Sequence, residues 1–173
     1  MANHDMQFVT SSFRSREAAE RAYDSIRARG YKDDEIHVMM SDDTRKKNFD
    51  KHDKKDSDLG NKALEGAGVG GAVGGAAGAT LMAIAAAATA VAIPGLGLVI
   101  AGPLAGALAG AAAGGAAGTL VGGLVGAGIP EERAKTYEKD LREGGIVLGV
   151  RPRKSEDMEY FEKEWSTQQP VTR

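Results

Sequence analysis

His52, Asp53, Asp56 and Asp58 place one imidazole and three carboxylates close together, a set of donors that could hold a divalent cation. Lysines interleave them, including Lys54 and Lys55, and ammonium groups at that spacing disfavour a second positive charge. The stretch reads as a solvated charge run, and no metal is expected. Gly66-Ala67-Gly68-Val69-Gly70-Gly71 satisfies G-x-G-x-x-G, which cradles a pyrophosphate when a strand precedes it and an acidic residue follows about 20 positions on. Here a charged run precedes it, and the next acidic residue is Glu131. No Gly-Lys-Ser/Thr phosphate loop occurs, so no cofactor is expected. The chain has no cysteine, which removes disulfides, thiolate metal sites and a cysteine nucleophile. His37 sits beside Met39 in an alternating apolar run and reads as a packed or surface histidine. Tyr137 and Trp165 belong to apolar helical stripes and read as core. No spacing singles out a carboxylate pair for acid–base work. No catalytic residue and no small-molecule substrate is therefore expected, and the chain reads as a non-enzyme.

The pattern that does stand out is made of glycines. Gly66, Gly70, Gly74 and Gly78 recur every fourth position, and after a break the series returns as Gly102, Gly106, Gly110, Gly114, Gly118, Gly122 and Gly126. On a helix, residues four apart share a face, so each series would form a groove without side chains where another backbone can approach closely. A glycine inside a helix costs about 0.8–1 kcal/mol relative to alanine, so such a helix needs a partner to hold it. These eleven glycines are the candidate helix-packing interface.

Around them lies a compositional boundary. Between Glu65 and Glu131 are 65 residues with no Asp, Glu, Lys, Arg or His, no aromatic residue, and 19 of the 24 glycines. The flanks are charged but balanced, and the net charge of −2 lacks the basic excess of a nucleic-acid binder. Residues 65–129 are expected to form an antiparallel helical hairpin, Glu65 to Ile93 and Pro103 to Ile129, reversing at Pro94-Gly95-Leu96-Gly97. The first arm has 29 residues, about 43 Å as a helix and long enough to span a bilayer.

The elements that must position this hairpin lie on either side. In residues 1–41, Met6–Phe13 reads as a strand. Ser15 then caps a helix whose Ala19, Ala22, Tyr23 and Ile26 share a face, and Gly30 ends it. Glu35–Ser41 alternates as a half-buried strand, with Ile36, Val38 and Met40 inward and His37 and Met39 outward. Residues 42–64 are charged and poor in large apolar side chains, and read as a mobile linker. In residues 130–173, Pro130-Glu131-Glu132 opens a helix buried through Ala134, Tyr137 and Leu141, and Gly144-Gly145 closes it. Ile146–Val150 follows as a strand. Ser155 caps a short last helix carrying Met158, Phe161 and Trp165 on one face. Each flank alone is too small for a good core. Together they are expected to build one small two-layer α/β domain of α+β class, interrupted by the long Gly/Ala-rich antiparallel helical hairpin.

Ser15-Arg16-Glu17-Ala18-Ala19, Gly30-Tyr31 and Asp33-Asp34-Glu35-Ile36 resemble bacterial general stress proteins of the heat-induced, YflT-like domain family. Gly128-Ile129-Pro130-Glu131-Glu132-Arg133-Ala134, through Tyr137 to Gly144-Gly145-Ile146, is similar to the low-temperature-induced proteins of the same broad group. The resemblance spans roughly residues 6–152. It implies a stress-response role, a cytoplasmic domain, a glycine-zipper segment between two α/β pieces, and no catalytic residues. The start Met1-Ala2-Asn3-His4-Asp5 carries no secretory pattern. The expectation is a homo-oligomer whose partners are itself and membrane lipid, with its α/β domain at the inner face of the cytoplasmic membrane. The alternatives are a soluble cytoplasmic particle or filament with the hairpins packed inside, and an oligomeric pore.

Overall fold

The computed structural model of the chain describes residues 8–50, 89–91, 97–106, 108 and 119–168. They form an α+β fold around a five-stranded sheet in which every neighbouring pair is antiparallel. The strands are β1 (Val9–Phe13), β2 (Ile36–Ser41), β3 (Thr89–Val91), β4 (Leu98–Ala101) and β5 (Ile146–Val150), in the order β1-β5-β2-β4-β3. The helices are α1 (Arg16–Ala28), α2 (Asp42–Arg45), α3 (Leu120–Gly126), α4 (Glu131–Arg142) and α5 (Ser155–Gln168).

Local chemistry sets the first unit. Ser15 has extended backbone and its hydroxyl accepts the Ala18 N–H at 3.2 Å, which satisfies one of the free donors of the first turn of α1. Ala18, Ala19, Ala22, Tyr23 and Ile26 make its buried face. Gly30 takes φ +79° just past the helix end, a left-handed position that suits glycine. The chain then returns through a single 3₁₀ turn, Asp33–Glu35, into β2. β1 and β2 do not touch as neighbours. β5 lies between them, with Val9 and Ile36 both opposite Val150, and Phe13 and Met40 both opposite Ile146. The two flanks of the sequence therefore share one sheet, as their small individual cores required.

Helices cover both faces of that sheet. On one face, Val9, Phe13, Ile36, Val38, Met40, Ile146, Leu148 and Val150 pack with α1 and with Phe161 and Trp165 of α5. On the other, Met39, Ile100 and Val147 pack with Leu120 and Leu124 of α3, with Ala134, Tyr137 and Leu141 of α4, and with Leu104 and Leu108. A layer on each face replaces the expected two-layer arrangement. The reason is visible in β2 and β5, Ile-His-Val-Met-Met and Ile-Val-Leu-Gly-Val, which are buried at every one of these positions. Near-continuous apolar runs belong to strands covered on both sides. His37 and Met39, expected to point outward, are 2% and 1% exposed.

Two further expectations are corrected. The span 65–129 is not a helical hairpin throughout. Thr89–Val91 and Leu98–Ala101 are strands, paired with each other at Thr89↔Ile100 and Val91↔Leu98, and β4 pairs with β2 at Val38↔Ala101 and Ser41↔Leu98. These strands are antiparallel, so the chain reverses between Val91 and Leu98, and the reversal joins strands added to the edge of the domain sheet; Pro94, Gly95 and Leu96 lie outside the described residues. Leu98, Val99 and Ile100 are aliphatic and, in β4, all buried, which favours a buried strand over a Gly/Ala helix. Residues 42–50, expected to belong to the linker 42–64, are structured, and residues 51–64 lie outside the described residues. Ser41 caps α2 through the Thr44 N–H at 3.1 Å, Asp42 bonds Arg45 at 3.0 Å and Lys46 at 2.6 Å, and a wider turn, Lys46–Asp50, follows. A capped first turn with two aspartates at its positive end outweighed the low apolar content.

Candidate functional site

The charge-free segment is fastened to the sheet at a turn that follows β4. Gly102 has φ +87°, and a Cβ built there would stand 2.2 Å from the Ile36 carbonyl oxygen, so only glycine fits between β4 and β2. Pro103 then starts a turn whose residue Leu104 directs its N–H into the Nδ1 atom of His37 at 3.1 Å. The bond crosses 67 positions of sequence and is buried. Because Nδ1 accepts, the neutral ring carries its hydrogen on Nε2. Gly149 lies opposite both Thr10 and His37 across β5. A Cβ there would fall 2.8 Å from the Thr10 methyl, so the missing side chain lets these two residues share one face. The Phe8 ring meets the imidazole edge-on at 4.7 Å, with the Arg151 guanidinium over that ring at 4.4 Å. Loss of hydration, and then the Arg151 charge, push the His37 pKa down to about 4.

Beyond this turn, Leu104, Leu108, Leu120 and Leu124 are buried in the second core together with Gly123, Ala105 packs against it, and Gly106, Val125 and Gly126 are exposed. Thr119 caps α3 by accepting the Gly122 N–H at 3.1 Å. Of the eleven candidate interface glycines, Gly66, Gly70, Gly74, Gly78, Gly110, Gly114 and Gly118 lie outside the described residues. Gly102 is corrected: it is a turn residue under positive φ, not a member of a helical stripe. Gly106 and Gly126 are exposed, with open space around a Cβ at either, and Gly122 is half-buried. Val125, 43% exposed, lies on the same short helix as Gly126. His52, Asp53, Asp56 and Asp58 also lie outside the described residues. Among the described residues no group of three or more His, Asp or Glu is placed to hold a metal ion.

A second feature lies along the free edge of β1, where a cleft of about 730 Å³ runs between α4 and α5, bordered by Arg14, Arg133 and Glu162. Its polar floor is internally bonded. Tyr137 donates its hydroxyl hydrogen to the Thr10 carbonyl at 2.8 Å, which leaves the Thr10 hydroxyl to donate to the Tyr137 oxygen, also at 2.8 Å. Burial raises the Tyr137 pKa, so the phenol stays a donor. Ser12 donates to Asp140. Among the described residues no imidazole bonds either Ser12 or Asp140. These pairs tie an edge strand to a helix, a protection of exposed strand edges. Neither the His37 contact nor the Thr10–Tyr137 and Ser12–Asp140 pairs were visible in the sequence. The Gly102-Pro103 dipeptide, a turn signal, and Gly149 inside a strand were the available hints. Comparison with family models, with curated proteins and with solved structures gives no match.

Proposed function

We propose that the chain is a non-enzymatic self-assembly protein whose α+β domain holds a charge-free Gly/Ala segment and offers its small-residue face to further copies of itself. The observation that carries this is the division of the segment into a buried and an open side: Leu104, Leu108, Leu120 and Leu124 are committed to the domain, while Gly106, Val125 and Gly126 are left facing outward. Pairing through the glycine repeats, Gly66–Gly78 against Gly106–Gly126 as antiparallel helices or against the same repeats of another copy, would offset the helix cost of the glycines. The resemblance to heat- and low-temperature-induced general stress proteins supports a stress-associated role.

A second reading, association with the inner face of the cytoplasmic membrane, is favoured by the 65 residues without an ionisable side chain. No helix of the described residues is long and apolar enough to cross a membrane. Sedimentation of the full chain, alone and with vesicles of phosphatidylglycerol and phosphatidylethanolamine, tests both. The expected result is a discrete oligomer that Gly110→Leu and Gly114→Leu each dissociate, because a leucine fills the groove. A monomer in the native chain, or an oligomer untouched by both substitutions, removes the self-assembly role. Flotation of the native chain with vesicles would establish the second reading.

A further inference from the structure

We infer that His37 is an acid-released latch on the charge-free segment: as a neutral imidazole it holds the Leu104 turn against β2, and protonation at Nδ1 lets that turn go. The geometry requires both halves. The Leu104 N–H has one acceptor, Nδ1, at 3.1 Å, inside the domain. A proton taken up from solvent at Nδ1 removes the lone pair that accepts and puts two N–H donors nose to nose. Among the described residues, the elements packed around the ring supply nothing to compensate the new charge. β5 brings Gly149, with no side chain, and just beyond the strand Arg151, which repels an imidazolium. β1 brings the Thr10 hydroxyl, already donated to Tyr137, and the Phe8 ring precedes the strand. On the α4 side, the Tyr137 hydroxyl is bonded to Thr10 and the Asp140 carboxylate to Ser12, with Arg14 3.8 Å from it. The turn itself contributes only the Leu104 amide. An imidazolium can gain water only by opening this packing, and the contact that its new proton directly opposes is the one with the Leu104 amide.

Release would uncover Leu104 and Leu108 together with the Met39 and Ile100 surface that they cover. Use of that surface for association rests on the proposed function; the latch does not. Nitrogen-15 spectroscopy of the full chain between about pH 7 and pH 3 follows the imidazole and the amides together. The expected outcome is a non-protonated Nδ1 at neutral pH and a His37 midpoint near 4. Leu104 protection, corrected for intrinsic exchange, should fall roughly tenfold or more across that midpoint while Val147 and Leu148 stay protected. His37→Asn keeps an acceptor near the Nδ1 position without the titration, and Leu104 protection should then be flat with pH. His37→Leu should leave Leu104 unprotected throughout. Leu104 protection that is unchanged as His37 charges, or that is lost together with Val147 and Leu148, overturns the latch. A His37→Asn chain that still releases Leu104 at the same pH also overturns it. Sedimentation of the same samples separates the two ideas: Leu104 released with no change in association leaves the latch standing and removes its use in assembly.

Discussion

Gly102 and His37 show how single residues fix where the charge-free segment meets the domain. At Gly102 both the positive φ and the 2.2 Å approach to the Ile36 carbonyl exclude a side chain. Gly102→Ala should therefore destabilise the fold by roughly 2–4 kcal/mol, through backbone strain and a forced shift of β4 from β2. Urea unfolding measures this, and a cost below about 0.5 kcal/mol, the scale of an ordinary surface change, would contradict the close approach. His37 predicts a pH window. Its folded pKa is lowered from 6.5 to about 4, so as pH falls the unfolded chain takes the proton first. The associated stability is complete above about pH 6.5, declines through the window and levels off below about pH 4, a loss of roughly 3 kcal/mol. His37→Asn removes this contribution while other groups titrate as before. The difference between the native and His37→Asn unfolding free energies should thus change by that amount between neutral pH and pH 4. Parallel curves would mean that the ring is hydrated in the folded chain.

The secondary-structure elements divide into those with their own signals and those held by distant partners. α1 carries a cap, an apolar stripe and a glycine stop within sixteen residues, Ser15 to Gly30, and all three were legible. Ser15→Ala should cost about 1 kcal/mol. Trp165 at 2% exposure, edge-on to Phe13 at 6.0 Å, anchors α5 to β1 and α1; its truncation to alanine should cost about 3–5 kcal/mol. Thermal unfolding of the two variants checks both, and a Trp165→Ala chain no weaker than Ser15→Ala would remove α5 from the core. β4 was not legible. Leu98, Val99 and Ile100 carry a strand signal, but the four-residue glycine spacing around them suggests a helix just as strongly, and only the open edge of β2 decides between the two. α2 failed in the opposite way: mean composition indicated a linker, while one serine cap and adjacent ion pairs made a turn of helix. The pairs Thr10–Tyr137 and Ser12–Asp140 had no local trace, since 127 and 128 positions separate their members.

At the scale of the whole molecule, the order β1-β5-β2 makes the two ends of the chain depend on each other. β1, α1 and β2 are consecutive, yet the two strands share no hydrogen bond; each is bonded to β5, which arrives more than a hundred residues later. Among the described strands, before β5 is in place β2 can pair only with β4, and β1 has no strand neighbour. The core on the α1 side also needs Ile146, Leu148, Val150, Phe161 and Trp165 from the C-terminal flank. Contacts this distant in sequence form slowly, because loop closure precedes the gain from burial. A fragment of residues 1–118 should therefore lack a cooperative unfolding transition, although α1 has a good cap and an amphipathic face. Adding the complementary fragment, residues 119–173, should restore both the transition and the amide protection of Val38 and Met40, because it returns β5 with α4 and α5 as one piece. Circular dichroism of each fragment and of their mixture, followed by hydrogen exchange on the mixture, makes the test. A fragment 1–118 that melts cooperatively by itself would mean that β1, α1 and β2 find another pairing. The N-terminal flank would then be a folding unit in its own right, and the shared sheet would be a docking of two domains instead of the condition for either to fold.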